Sequence, residues 1–205
     1  MIRAIVSSVA SLFLVAAVGV GPADAQVARG GGHPPMMLGP GDAKVHDIGG
    51  HALIRMSKFG YVYIAGKQSS HLRLTYMSEK FSLRYRDTRT QQARQLPRTC
   101  HREQVEKGIS VVCSIPPRFR DHMFVQVWPR LGNDYVDGRD LPRKFRLWVL
   151  ADGGRDVVYG GDGNDFVNGA MDGDRAYGGR GNDFLRGGPG ANHLVGGPGR
   201  DKVRS

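Results

Sequence analysis

The sequence is poor in cysteine, because its 205 residues include only Cys100 and Cys113. Twelve residues lie between the two positions. In an exported protein such a pair favours a disulfide over a reactive thiol or a metal site. The bridge would close a short loop and contribute about 3 kcal/mol to stability by restricting the unfolded chain.

Long apolar runs and enzyme motifs are also scarce. After residue 20 no stretch is long enough to span a bilayer. The sequence contains no His-Glu-x-x-His motif and no Gly-x-Ser-x-Gly elbow, and its scattered histidines have no second ligand at a helical spacing. Residues 50–150, which precede the repeats described below, also form a small region for a catalytic domain with a cleft. These features predict that the protein is not an enzyme.

The first 25 residues have the features of a secretory signal peptide. Arg3 gives a positive start, residues 4–20 are an apolar run, and a small-x-small cleavage site ends at Ala25. An uncleaved membrane anchor is the alternative, but serines interrupt the short run. We therefore predict a signal peptide over residues 1–25 and a secreted protein with no membrane span after cleavage. A flexible Gly/Pro-rich linker follows over residues 26–48.

Residues 50–150 contain short runs in which apolar and polar side chains alternate. Leu72, Leu74 and Tyr76, for example, are separated by Arg73 and Thr75. A period of two is typical of strands, and no window shows a helical stripe. The other runs that predict strands are residues 61–65, 81–85, 109–115, 123–128 and 145–150. The polar residues 87–98 predict a long loop.

A strict repeat occupies the last quarter of the sequence. Residues 151–204 divide into the six nine-residue units ADGGRDVVY, GGDGNDFVN, GAMDGDRAY, GGRGNDFLR, GGPGANHLV and GGPGRDKVR. The eighth place is always apolar and is filled by Val158, Val167, Ala176, Leu185, Leu194 and Val203. A flexible Gly/Asp-rich tail has no reason to keep an apolar residue every nine positions. The period therefore predicts a solenoid.

The sixth place of each unit carries an Asp, or an Asn in unit five. Two units make one coil, with a short strand in each unit and a glycine-rich loop at each end. Stacked coils align the sixth-place residues of alternate units. We call them the odd column, Asp156, Asp174 and Asn192, and the even column, Asp165, Asp183 and Asp201. Stacked carboxylates repel unless a hard cation neutralises them, and Ca²⁺ with about 6–8 oxygen ligands fits better than Mg²⁺ or Zn²⁺.

Units two and four match the pattern GGxGxDxUx at every fixed place, where U is a large apolar residue. The array therefore resembles the RTX (repeat-in-toxin, hemolysin-type) calcium-binding repeats of secreted bacterial proteins. The resemblance implies an all-β fold with a right-handed parallel β-roll or β-helix, in which the sixth-place Asp side chains bind Ca²⁺. We expect the better sites on the even column, because Asn192 is a neutral, weaker ligand and Asp172 replaces a glycine in unit three.

One isolated unit precedes the regular array. Residues 131–138 repeat the G-N-D-aromatic-Val order of unit two, and residues 139–150 separate them from the array. This order predicts a degenerate first coil with Asp134 as a weaker ligand, flanked by strands over residues 124–127 and 147–149. The resulting division is a β-rich leader region with the Cys100–Cys113 disulfide over residues 49–128 and a β-roll over residues 129–205.

Charge is distributed unevenly along the chain. The formal net charge is +10, yet residues 151–204 contain eight Asp against seven Lys or Arg. The positive excess therefore lies before the repeats, where Arg84, Arg86, Arg89, Arg94, Arg98 and Arg102 form the richest run. Such a surface attracts polyanions, although a solvated, aggregation-resistant face is the alternative.

These patterns together predict a secreted calcium-binding protein whose repeats fold on export around structural Ca²⁺. The alternative is a basic, surface-associated module that binds anionic cell-wall or polysaccharide polymers in the presence of Ca²⁺. No recognisable nucleic-acid fold accompanies the charge, so we expect no specific nucleic-acid partner. Prolines and like charges in units five and six blunt the last strand edges, which predicts a monomer.

Overall fold

The computed structural model describes residues 49–205. The predicted signal peptide and linker lie outside these residues. The described residues belong to one compact unit, and they contain no α-helix, only a 3₁₀ turn at Pro117–Phe119. The all-β prediction is therefore confirmed for this part of the chain. Within it, no helical segment has the length and apolar character needed to cross a membrane.

The described residues form sixteen strands. In chain order they are β1 (His51–Met56), β2 (Gly60–Ile64), β3 (His71–Met77), β4 (Ser82–Asp87), β5 (Gln92–Arg94), β6 (Cys100–Glu103), β7 (Ile109–Ser114), β8 (Met123–Trp128), β9 (Tyr135–Asp140), β10 (Phe145–Leu150), β11 (Val157–Tyr159), β12 (Phe166–Asn168), β13 (Arg175–Tyr177), β14 (Phe184–Arg186), β15 (His193–Val195) and β16 (Lys202–Arg204).

These strands are arranged in two eight-stranded sheets. The strand order of sheet I is β16-β14-β12-β10-β8-β2-β1-β5, and that of sheet II is β15-β13-β11-β9-β3-β4-β7-β6. From β8 to β16 the chain alternates between the sheets, so each pair of consecutive strands makes one coil. Every neighbouring pair within this part is parallel.

The repeats pair as their period predicts. Each unit contributes a three-residue strand, and each strand pairs in parallel with the strand two units later. Val158 is opposite Ala176 in sheet II, and Val167 is opposite Leu185 in sheet I. The prediction that two units make one coil is therefore confirmed.

The leader region is continuous with the coils. Strand β2 pairs in parallel with β8, and β3 pairs in parallel with β9, so both sheets run from one region into the other. The predicted neighbours β8 and β10 also pair, with Val127 opposite Val149. Beyond β2 and β3 the pairing changes: β1 is antiparallel to β2, and β4, β7 and β6 follow β3 in antiparallel order.

The core lies between the two sheets and contains the eighth-place side chains. Val158, Val167, Ala176 and Leu185 are at most 2% exposed. The same cluster continues into the leader region through the larger side chains of Tyr61, Tyr63, Leu72, Leu74 and Tyr85. Burial ends at the last coil, where Val203 is 47% exposed on the edge strand β16.

The cysteine pair joins two adjacent strands. Cys100 on β6 lies directly opposite Cys113 on β7, and a disulfide links them with a Cα–Cα distance of 4.0 Å. The predicted disulfide is therefore present. Strand β7 is the only neighbour of the edge strand β6 in sheet II, and the disulfide adds a covalent link between these two strands.

Candidate metal centre

The odd column forms along the loops that precede the strands of sheet II. In each coil the Oδ1 atom of the sixth-place residue accepts the backbone N–H of its counterpart one coil earlier. The N–O distances are 2.8 Å from Asp134 to Asp156, 3.0 Å from Asp156 to Asp174 and 2.9 Å from Asp174 to Asn192. Asp134 thus extends the odd column, and its own Oδ1 accepts the N–H of Ser70.

The even column has the same geometry on the other side of the coils. Asp165 Oδ1 accepts the N–H of Leu147 at 2.8 Å. Asp183 Oδ1 accepts the N–H of Asp165 at 2.8 Å, and Asp201 Oδ1 accepts that of Asp183 at 2.9 Å. The structure therefore brings every sequence-predicted ligand into one of the two columns.

The second carboxylate oxygen is where the two columns differ. Four buried Oδ2 atoms have no hydrogen-bond partner, and they belong to Asp134, Asp156, Asp174 and Asp183. By contrast, Asp165 Oδ2 accepts the N–H of Gly161 at 2.7 Å. A buried acceptor without a donor is costly and rare in folded proteins, so each of these atoms indicates a missing partner. Three of the four lie on the odd column, for which the sequence predicts the weaker calcium sites.

Burial makes these carboxylates difficult to ionise. It raises the pKa of Asp156 to about 8 and those of Asp134 and Asp165 to about 7. Burial also raises the pKa of Asp183 to about 6 and that of Asp174 above its ordinary value. Neighbouring carboxylates add to the shift, for example Asp201 beside Asp183. A cation next to the column would reverse both effects, because it favours the ionised form.

Asn192 donates hydrogen bonds to the carbonyl oxygens of its own loop, so no cation is needed there. Its Nδ2 atom donates to the carbonyl oxygen of Gly188 at 2.7 Å and to that of Gly190 at 3.3 Å. The amide N–H groups thus occupy the position toward which the carboxylates of the other coils turn Oδ2. This coil needs no neutralising ion, which gives a physical reason for Asn192 to be a weaker ligand than Asp.

Glycine lets carbonyl oxygens approach the columns closely. A Cβ atom on Gly160 would lie 1.9 Å from the carbonyl oxygen of Gly178 and 2.7 Å from Oδ2 of Asp165. On Gly178 it would lie 2.3 Å from Oδ2 of Asp183. Carboxylate and carbonyl oxygens of successive coils therefore converge, and such an all-oxygen environment suits Ca²⁺.

Side chains alone would not complete such a site. Among residues 49–205 no group of three His, Cys, Asp or Glu side chains is arranged to hold a metal ion. The carboxylates are instead spread along the columns, one to each coil on either side. Backbone carbonyls would have to supply most of the remaining ligands, as the glycine-rich loops permit.

Two features of the site were not predicted from the sequence. The first is a ladder of fifth-place asparagines, in which Asn133, Asn164 and Asn182 each accept the N–H of the equivalent residue in the next coil at 2.9 Å. The recurrent G-N-D triplet was the available signal, because Asn precedes Asp in all three of these units.

The second feature is the buried carboxylate of Asp87, which ends the odd column inside the leader region. Ser70 donates its backbone N–H to Asp134 and its hydroxyl to Asp87 Oδ2. Tyr63 and Thr90 also donate hydroxyls to that oxygen. Burial alone would raise the pKa of Asp87, but the hydrogen bonds from Ser70, Thr90 and nearby backbone N–H groups hold it below its ordinary value. Asp87 is therefore ionised without a metal.

Comparison with protein-family models identifies the class to which this geometry belongs. Residues 148–176 and 170–203 match the RTX calcium-binding nonapeptide repeat, HemolysinCabind. The segment 148–203 therefore carries RTX repeats, which confirms the resemblance, and calcium binding is a property of that family. Comparisons with curated proteins and with solved structures found no match.

Proposed function

We propose that this is a secreted calcium-binding protein in which Ca²⁺ is structural and completes the β-roll. The observation that carries the proposal is the set of four buried, unpartnered Oδ2 atoms, on Asp134, Asp156, Asp174 and Asp183. In the calcium-free chain each of these four carboxylates must either bury a charge or take up a proton. Bound Ca²⁺ would neutralise the columns, with Asp165 and Asp201 as further ligands, so that ion binding stabilises the folded coils.

The same linkage gives Ca²⁺ a role in export. Extracellular calcium modules bind with dissociation constants of about 10⁻⁴–10⁻³ M, far above cytosolic calcium concentrations. The coils would stay unfolded in the producing cell and fold outside it. The right-handed coil that we expect follows the general preference of parallel strand crossovers.

We also propose that the chain has no catalytic activity and is monomeric. The sequence contains neither a His-Glu-x-x-His motif nor a Gly-x-Ser-x-Gly elbow, which supports the first point. For the second, the edge strands β15 and β16 bear exposed His193, Lys202 and Arg204, and Pro198 lies in the loop between them. Charged side chains and proline disfavour edge-to-edge pairing with another chain.

Circular dichroism of the full chain tests the central part of the proposal. We expect about 1 mM Ca²⁺ to increase the β signal and the same concentration of Mg²⁺ to leave it unchanged. Asp156→Asn should raise the Ca²⁺ concentration at the folding midpoint about tenfold, because a buried charged ligand is lost. Asp121→Asn is the matched control, since Asp121 is an exposed residue that lies outside both carboxylate columns. A β signal that does not respond to Ca²⁺ would refute the proposal.

A further inference from the structure

A groove separates the free edges of the two sheets at the end opposite to the last coil. Strand β5 is the edge of sheet I and β6 is the edge of sheet II. The groove between them has a volume of about 610 Å³, and its polar lining consists of Gln91, Gln92, Arg94, Arg102, Gln104 and Ser110, with Glu103. It lies in the leader region, and none of the residues that line it is a predicted calcium ligand.

The electrostatics of the groove favour an anionic ligand. Glu103 is neutralised within the protein, since it accepts from Arg84 Nε at 2.8 Å and from Ser110 Oγ at 2.7 Å. Arg102 donates one hydrogen bond to the carbonyl of Ala93 and is otherwise exposed. Arg94 is exposed and has no ion-pair partner among residues 49–205. Two guanidinium groups therefore have unused donors at the groove.

Not every arginine of the predicted basic run is available in this way. Arg84 is committed to Glu103, and Arg86 donates to the carbonyl oxygens of Lys107 and Ile109. These two side chains hold strands β4, β6 and β7 and the loop before β7 together, so their donors are already used. The part of the run that remains free for a ligand includes Arg94 and Arg102, the two arginines that line the groove.

We propose that this groove binds a polysaccharide that carries uronate carboxylates. Arginine donors match a carboxylate in charge and geometry. The three glutamine amides and Ser110 supply donors and acceptors for sugar hydroxyls, and an open groove admits an extended polymer. No aromatic side chain lines the groove, which disfavours single-stranded nucleic acid, because its binding relies on base stacking.

Titration of the full chain with a hyaluronan oligosaccharide, at saturating Ca²⁺ and low salt, tests the proposal. We expect binding that weakens as salt rises. Arg94→Gln should lower the affinity about tenfold through loss of a charged hydrogen bond. Arg175→Gln, which removes an exposed arginine on β13, should leave the affinity unchanged. Arg94 is exposed, so its variant should keep the circular dichroism spectrum of the unmodified chain.

Three results would overturn the proposal. The first is no binding of hyaluronan at low salt. The second is an equal loss of affinity in Arg94→Gln and Arg175→Gln, which would mean diffuse charge attraction. The third is tighter binding of an oligothymidylate with the same dependence on Arg94, which would make nucleic acid the ligand. Saturating Ca²⁺ separates these outcomes from failure of the calcium proposal, which the circular dichroism experiment tests independently.

Discussion

At the residue scale, the loops that carry the odd column have a left-handed backbone at the second place of each unit. In most of these loops that residue is not glycine. The φ angles are 77° at Arg130, 79° at Asp152, 74° at Ala170 and 85° at Gly188. Side chains with a Cβ atom are strained in this region by roughly 1–2 kcal/mol each. Only the last of these loops has glycine at this place, so the strain lies in the coils that also carry unpartnered carboxylates.

Replacing Ala170 by glycine should relieve that strain. We expect Ala170→Gly to raise the free energy of unfolding by about 1 kcal/mol, because glycine adopts the left-handed conformation without a Cβ clash. Ala191→Gly is the matched control, since Ala191 is an exposed loop residue of the same array outside the left-handed region. It should lower stability slightly. Urea unfolding in saturating Ca²⁺ measures both changes, and a destabilised Ala170→Gly variant would contradict the assignment of strain.

The sequence predicts which residues occupy the columns but not how each oxygen is satisfied. The period of nine places Asp156 and Asp183 in columns, because every coil repeats the same backbone path. The inward amide of Asn192 depends on a side-chain rotamer. The contact of Asp134 with Ser70 joins residues 64 positions apart and depends on the packing of the leader region. The local sequence pattern therefore predicts neither the rotamer of Asn192 nor the contact of Asp134 with Ser70.

At the element scale, the loops of the coils should make stability depend strongly on pH without calcium and only weakly with it. The folded-state pKa values of Asp134, Asp156, Asp165 and Asp183 are raised by burial, to between about 6 and about 8. Carboxylates in the unfolded chain titrate near pH ~3.9. Without calcium, these four carboxylates should therefore cost no stability below that pH and should destabilise the fold increasingly as pH rises toward about 8.

Saturating Ca²⁺ should nearly abolish this slope between about pH 5 and pH 7.5, because the carboxylates that hold the ion are then ionised in the folded state as they are in the unfolded chain. Asp87, Glu103 and Asp137 have lowered pKa values, so they change stability only at more acidic pH and do not affect the comparison. The free energy of unfolding, measured between about pH 5 and pH 7.5 with Ca²⁺ or with a chelator, tests the prediction. Parallel slopes under the two conditions would show that the carboxylates do not face a cation.

The predictability of each strand follows from its local pattern. Runs with alternating or β-branched residues, such as β3 and β7, were predicted because each has one face in the core. Strand β5 lies inside the polar stretch 87–98, which was predicted to be a loop. It has three residues and one buried side chain, Ala93. Strand β5 pairs with β1, which is distant in the sequence, so the residues around β5 do not indicate a strand.

At the scale of the whole molecule, the leader region serves as the base on which the coils stack. Strands β2 and β3 present edges to β8 and β9, and the same sheets continue to β16 and β15. The first carboxylate of the odd column, Asp134, contacts Ser70 of that base. A short array buries little apolar surface by itself, since its inner face has one side chain per strand. We infer that the roll depends on both this base and bound Ca²⁺.

Calcium titration calorimetry of the full chain, followed in parallel by circular dichroism, tests whether Ca²⁺ binding and folding of the coils are coupled. We predict saturable heat of Ca²⁺ binding that rises together with the β signal, because ion binding and folding of the coils are one process. Binding heat without any gain of structure would mean that the columns are preformed and that Ca²⁺ is not needed for folding. The absence of binding heat at millimolar Ca²⁺ would show that the two carboxylate columns do not hold calcium.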